Sequence, residues 1–262
     1  MARRGAHLGQ HFLNNLHYAQ VLAEAAGARA GVIVLEIGPG TGALTRELLK
    51  KGAGVIAIEK DASLVAQLQT TFSNEIEHGV LKIVASDIRN FDPRSLSLEA
   101  YRYVLAANIP YYITGEIIRQ FLETSHQPLT LALLIQREVA QRIVSTTESI
   151  LSISVKAYGM PKIIAKVTKG NFTPPPSVDS AILAITQVSK NNFTDVSEKH
   201  FFEVVRAGFA AKRKLLANNI AVKFGKENAQ RALTAAGLDA HVRAENVHVP
   251  QWLEIAKALL QQ

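Results

Sequence analysis

Residues 32–50 read as a strand, a glycine turn and a helix in immediate succession, and this unit limits the fold more than any other feature. Residues 32–37 are short, β-branched and closed by glycine, the pattern of a strand buried on both faces. Glu36-Ile37-Gly38-Pro39-Gly40-Thr41-Gly42 follows, and then Leu44, Leu48 and Leu49 fall on one helical face until Gly52 stops it. Such a unit begins an open parallel sheet with ligands at its carboxyl edge. Further strands are predicted at 54–59, 80–85, 103–107 and 129–135, with helices at 62–71, 113–123 and 137–144. The alternation predicts an α/β fold with crossover helices.

Residues 151–187 break that alternation. Three β-rich runs, at 151–158, 163–167 and 180–187, predict an antiparallel pair at one sheet edge. The polar stretch 190–195 reads as a linker. Helical patterns at 198–210, 213–222, 226–236 and 250–261 then predict a small all-helical C-terminal domain. The expected division is 1–189 and 190–262.

Composition excludes several classes. With 48% hydrophobic and 19% charged residues among 262, a packed core is expected and disorder is not. There is no cysteine, so disulfides, zinc–thiolate sites and thiol nucleophiles are out, and no metal is expected. The net charge of +7 favours an anionic partner, nucleic acid before a membrane surface. Residues 1–11 lack the apolar run of a signal peptide, and no apolar stretch has the ~18 residues of a membrane span. A cytoplasmic protein with no membrane partner, monomeric by default, is expected.

Glycines at a strand-to-helix turn let a ligand approach the backbone. Gly38-x-Gly40-x-x-Ala43 also satisfies a dinucleotide fingerprint. Two acids favour S-adenosylmethionine instead. Glu36, two places before Gly38, suits the ammonium of a methionine tail and would repel a pyrophosphate. Asp87 ends the third strand, where enzymes of this kind hold the adenine amine. Glu59, 19 residues beyond Gly40, suits ribose hydroxyls and fits both cofactors.

The fourth strand ends in Asn108-Ile109-Pro110-Tyr111. An adenine amine is a weak nucleophile because its lone pair is delocalised into the ring. The Asn108 side-chain oxygen and the Ile109 carbonyl can each accept one amine hydrogen, favouring the pyramidal geometry of methyl transfer. Pro110 stiffens the turn and Tyr111 can stack on the base. Phe172, heading the stiff Thr173-Pro174-Pro175-Pro176 loop, either covers the other face of a flipped base or plugs the core. These five residues are the candidate catalytic set.

Taken together these motifs resemble the ribosomal RNA adenine dimethylases, in their bacterial small-subunit branch. The resemblance covers nearly the whole chain. It runs from Leu8-Gly9-Gln10-His11-Phe12-Leu13, through the glycine turn, Asn108–Tyr111 and 172–180, to 209–216 and Arg243-Ala244-Glu245-Asn246. It implies a Rossmann-like class I S-adenosylmethionine-dependent methyltransferase sheet. It implies cofactor contacts at His11, Leu13, Gly38, Glu59, Asp87 and Asn108, to which the reading of the turn adds Glu36 and Gly40. Many relatives carry asparagine where His11 stands. The implied substrate is a pair of adjacent adenosines in the 3′-terminal hairpin loop of small-subunit rRNA, in precursor particles, each dimethylated. Glu148-Ser149-Ile150-Leu151-Ser152 departs from the Tyr-Gly usual before the Leu-Ser pair, which puts that loop in question.

Residues 190–262 carry 11 Lys/Arg against 7 Asp/Glu, a net of +4, suited to RNA backbone contact. Read as helical, Lys212, Arg213 and Lys214 splay around the axis while Arg206 and Arg213 share a face. Arg3 and Arg4 read as a basic arm. The alternatives are a large-subunit rRNA adenine methylase of the antibiotic-resistance type, a non-catalytic assembly factor and a dinucleotide oxidoreductase.

Overall fold

The computed structural model describes residues 11–96 and 98–260. Arg3, Arg4, Leu8 to Gln10, and the end of the last predicted helix at Gln261 lie outside the described residues. The chain forms two compact units. One comprises residues up to Ala140 with Met160–Val188, and the other Gln141–Gly159 with residues from Ser189 onward. The segment 141–159 thus joins the second unit, whereas a division at 189 assigns it to the first.

The first unit begins with β1 (Phe12–Leu13) and α1 (Leu16–Ala26). Next come β2 (Ile33–Ile37), α2 (Ala43–Lys50), β3 (Gly54–Glu59), α3 (Ala62–Thr71), α4 (Ser73–Glu77), β4 (Leu81–Ala85) and β5 (Tyr103–Asn108). After α5 (Thr114–Glu123) and β6 (Leu131–Gln136), α6 (Arg137–Val144) leads into α7 (Ile150–Lys156), and β7 (Met160–Val167), β8 (Phe172–Thr173) and β9 (Ser180–Thr186) complete the strands. Seven strands make one sheet in the order β4-β3-β2-β5-β6-β9-β7. The first five pair in parallel, and β9 runs antiparallel to both β6 and β7, giving the expected antiparallel edge.

Both faces of the sheet are covered. Val34 and Leu35 are consecutive, point to opposite faces, and are both fully buried. Ala19, Leu22, Ala23 and Ala26 of α1 join Val34, Val104, Ala106 and Leu134 in one apolar cluster. Small alanines on the helix let it lie close to the branched strand side chains.

Of residues 151–158, expected as a strand, 151–156 belong to the helix α7 and 157–158 to the turn that follows it. Their alternation of apolar and polar residues has the period of a strand, but the helix has a stronger local signal. Ser149 caps it, accepting from the Ser152 N–H at 3.1 Å, while Ser152 Oγ accepts from the Ser149 N–H at 2.7 Å. That reciprocal pair satisfies two backbone donors at once. Ile153 and Val155 are then buried.

In the second unit α7 is joined by α8 (Glu198–Gly208), α9 (Leu216–Phe224), α10 (Lys226–Ala235) and α11 (Val249–Ala258). Trp252 is fully buried and donates its indole N–H to the Val247 carbonyl at 3.0 Å. Lys212, Arg213 and Lys214 do not lie on a helix, so the expected shared face of Arg206 and Arg213 is not formed. They occupy the exposed turn between α8 and α9. Asn219, buried on α9, fixes that turn by donating to the carbonyls of Gly208 at 2.7 Å and Ala211 at 3.0 Å. No helix among the described residues is long and apolar enough to cross a membrane.

Candidate active site

The strand order places the carboxyl ends of β4, β3, β2 and β5 side by side. The chain leaves β2 toward β3 and β4 on one side and returns with β5 on the other, which makes β2/β5 the topological switch point. A cleft opens there, lined by residues at the ends of β3 and β5 and just after β4. Of the sequence-derived candidates, His11, Gly38, Glu59, Asp87, Asn108, Ile109, Pro110, Tyr111 and Phe172 line it.

The glycine turn is built on backbone geometry. Gly38 and Gly40 have φ of +65° and +58°, the left-handed region where a side chain is strained. A Cβ on Gly40 would also fall 2.9 Å from the Phe12 ring, so Phe12 packs directly on the turn. The Gly40 N–H donates to Glu59 Oε2 at 3.2 Å, and Glu59 Oε1 accepts from the N–H groups of Lys60 and Asp61. Glu59 is thereby buried with its carboxylate satisfied by main-chain donors, yet it still borders the cleft.

Three candidates occupy other surroundings. Glu36 is fully buried and does not line the cleft; its Oε2 accepts from the Thr45 hydroxyl at 2.7 Å, and its Oε1 has no partner. Burial pushes its carboxyl up to about 8. Direct contact of its side chain with a methionine tail therefore requires rearrangement of the turn. Leu13 packs in the apolar cluster, paired with Phe172 across β1 and β8. Gly40 shapes the turn from beneath Phe12. Phe172 is buried in the cluster, as a core plug, and also forms part of the cleft wall.

Asp87 forks onto Arg89 at 2.6 Å, and hydrogen bonds from the Arg89 side chain hold its carboxyl down at about 2. Arg89, Lys60 and Tyr112 also border the cleft and were not among the candidates. Each lies just beyond a strand's carboxyl end, and that position was the available signal.

At the β5 end, Asn108 Nδ2 donates to the His11 carbonyl at 3.1 Å. The His11 ring lies 5.9 Å from the Tyr111 ring, and Tyr111's hydroxyl is 2.7 Å from Ser180 Oγ. The β1–β8 pairing, Phe12↔Thr173 and Leu13↔Phe172, fastens this N-terminal segment to the proline loop.

The family model for ribosomal RNA adenine dimethylase matches residues 2–261. The chain belongs to that family. A ribosomal RNA small subunit methyltransferase A from Dehalococcoides mccartyi (strain CBDB1) is 39% identical over 97% of this chain and 87% of its own length. The protein of the same name from Geobacillus thermodenitrificans is 33% identical over 97% of this chain and 90% of its own. The crystal structure of the 23S rRNA methyltransferase ErmE superposes with a TM-score of 0.77 at 26% identity, covering 95% of this chain and all of that one.

For this dimethylase, as for its class, S-adenosylmethionine is the methyl donor. The donor set fits it. Glu59 presents a fixed carboxylate at the end of β3, Asp87 carries an ionised one after β4, and Gly38 of the positive-φ turn lines the same cleft. Among the described residues no group of acidic and histidine side chains could hold a metal ion.

Proposed function

We propose that this protein transfers methyl groups from S-adenosylmethionine to the N6 amines of two adjacent adenosines in the 3′-terminal hairpin loop of small-subunit rRNA. It acts as a cytoplasmic monomer on precursor particles. The observation that carries the chemical half is the orientation of Asn108. Its amide nitrogen is committed to the His11 carbonyl, so its Oδ1 is the atom left to accept an amine hydrogen. The Ile109 carbonyl takes the second hydrogen, and the Tyr111 ring, pinned at its hydroxyl, offers a stacking face. Bound S-adenosylmethionine supplies an electrophilic methyl group. Glu59 and Asp87 hold its ribose and adenine ends, with Gly38 and His11 along the rest of the cleft. Leu13, Glu36 and Gly40 support that cleft from behind.

The substrate half draws on the relatives, which are named for small-subunit rRNA, and on the exposed Lys212, Arg213 and Lys214 of the second unit, which suit phosphate contact. The fold shared with ErmE keeps a second reading, methylation of large-subunit rRNA, in view. Purified small and large precursor particles, incubated in parallel with the protein and labelled S-adenosylmethionine, separate the two. Dimethyladenosine in the small-subunit hairpin alone supports the proposal. Label in large-subunit rRNA alone overturns it.

A further inference from the structure

We propose that His11 is the proton acceptor for the newly methylated amine, an assignment that rests on the adenine-N6 reading above. His11 lines the cleft together with Asn108, Tyr111 and Phe172, and its ring lies 5.9 Å from the Tyr111 ring. Its Nδ1 lies 2.8 Å from the Pro174 carbonyl oxygen. A carbonyl oxygen only accepts, so in the neutral ring Nδ1 carries the hydrogen and Nε2 keeps the lone pair. The main chain of the same residue accepts the Asn108 amide at 3.1 Å. The residue that carries the base nitrogen is therefore tied to the group that orients the amine, and it directly precedes the pairing of β1 with β8.

The chemistry balances without any further reactant. As the amine nitrogen bonds the methyl carbon, the carbon–sulfur bond breaks and its electron pair stays on sulfur as a neutral thioether. The nitrogen then holds two hydrogens, the methyl and the positive charge. One proton passes to Nε2, directly or through one water, which restores a neutral amine and leaves an imidazolium. The open cleft returns that proton to solvent. A second transfer repeats the step with the one remaining amine hydrogen.

The tautomer also limits what this side chain can do for the methyl donor. A neutral Nε2 accepts but does not donate, so it cannot hold a carboxylate, whereas an asparagine amide can do both. Charged and titratable groups sharing the cleft are Glu59 and Lys60 at the end of β3, Asp87 and Arg89 after β4, and Tyr111 and Tyr112 after β5. Asp179 acts on Tyr111 from just before β9. The Arg89 side chain holds Asp87 down at about 2, and burial raises the Tyr111 hydroxyl above its ordinary value. Glu36, behind the turn, titrates near 8 and needs its own control.

The test uses the full-length protein in two measurements. Nitrogen-15 spectra of histidine-labelled protein without cofactor, assigned with H11N, are expected to show the His11 ring protonated at Nδ1. A ring protonated at Nε2 overturns the assignment. Single-turnover methylation of small-subunit particles is then followed against pH for wild type, H11N and E36Q. Wild type and E36Q are expected to slow on the acid side. H11N is expected to lose that dependence and to run about ten-fold slower at pH 8, below the usual range for base catalysis because the proton departs readily. S-adenosylmethionine is kept saturating for each variant, set from its measured S-adenosylhomocysteine affinity, so that any loss of cofactor contact does not enter the comparison. An unchanged acid limb in H11N overturns the proposal. Wild type that methylates no rRNA adenine sinks the parent reading instead, while the nitrogen spectrum still decides the tautomer.

Discussion

Asn108 and His11 are tied together across 97 residues of sequence by a side-chain amide donating to a main-chain carbonyl at 3.1 Å. The bond decides which end of the amide faces the cleft. Replacing Asn108 with alanine removes the acceptor, and with it an interaction strongest in the transition state. N108A is expected to lower the single-turnover rate by about 100-fold or more. Rapid-quench kinetics on small-subunit particles measure this, and a loss below ten-fold would sink the proposed role.

Tyr111 and Ser180 form a second pair. Ser180 is fully buried at the start of β9, and its Oγ holds the Tyr111 hydroxyl at 2.7 Å. If the bond serves to aim the ring, S180A and Y111F each weaken turnover by a similar few-fold factor, and the double variant is no worse than either. Additive losses in that double-mutant cycle would show two independent effects.

Glu36 links stability to pH. Burial lifts its carboxyl from 4.5 to about 8 in the folded chain. The unfolded chain gives up that proton from about 4.5 upward, while the folded chain keeps it until about 8. The associated stability is complete below 4.5 and is lost as pH rises to 8. Between pH 5 and 8 the melting temperature of wild type should therefore fall further than that of E36Q. The gap should reach at least ~3 °C, what about 1 kcal/mol produces in a chain of this size. Parallel melting curves would remove Glu36 from the account.

The cap of α7 and its ion pair are separately testable. S149A loses one capping bond and should cost about 1 kcal/mol. Glu148 has only 2% of its side chain exposed and meets Lys156 at 2.8 Å and His248 at 3.1 Å. Burial raises its carboxyl, but donors from Lys156, Ser152 and His248 outweigh that and hold it low. Because Lys156 is partly exposed, K156M should cost about 1–3 kcal/mol, less than a fully buried pair. Denaturant titration reads both, and a neutral K156M would show the pair to be dispensable.

The segment containing that pair shows where sequence reasoning stopped. Leu151-Ser152-Ile153-Ser154-Val155 alternates like a strand, yet it forms a helix capped at Ser149 with Ile153 and Val155 buried. Local periodicity cannot weigh a cap against a pattern when the segment is this short. The basic run at 212–214 likewise departs from its helical pattern, because Asn219, which pins the turn, acts from the following helix.

What the sequence by itself determined is the set of chemistry-bearing positions and their order. Buried parallel strands announce themselves by apolar runs, and their carboxyl ends carry Gly38, Glu59, Asp87 and Asn108. Only the tertiary structure decided how those groups are oriented. It turned Glu36 into the core, set Asn108 by a carbonyl 97 residues away, and laid the His11 ring nitrogen against the Pro174 carbonyl. Hydrogen-bond direction and burial depend on partners distant in sequence, and no local pattern encodes them.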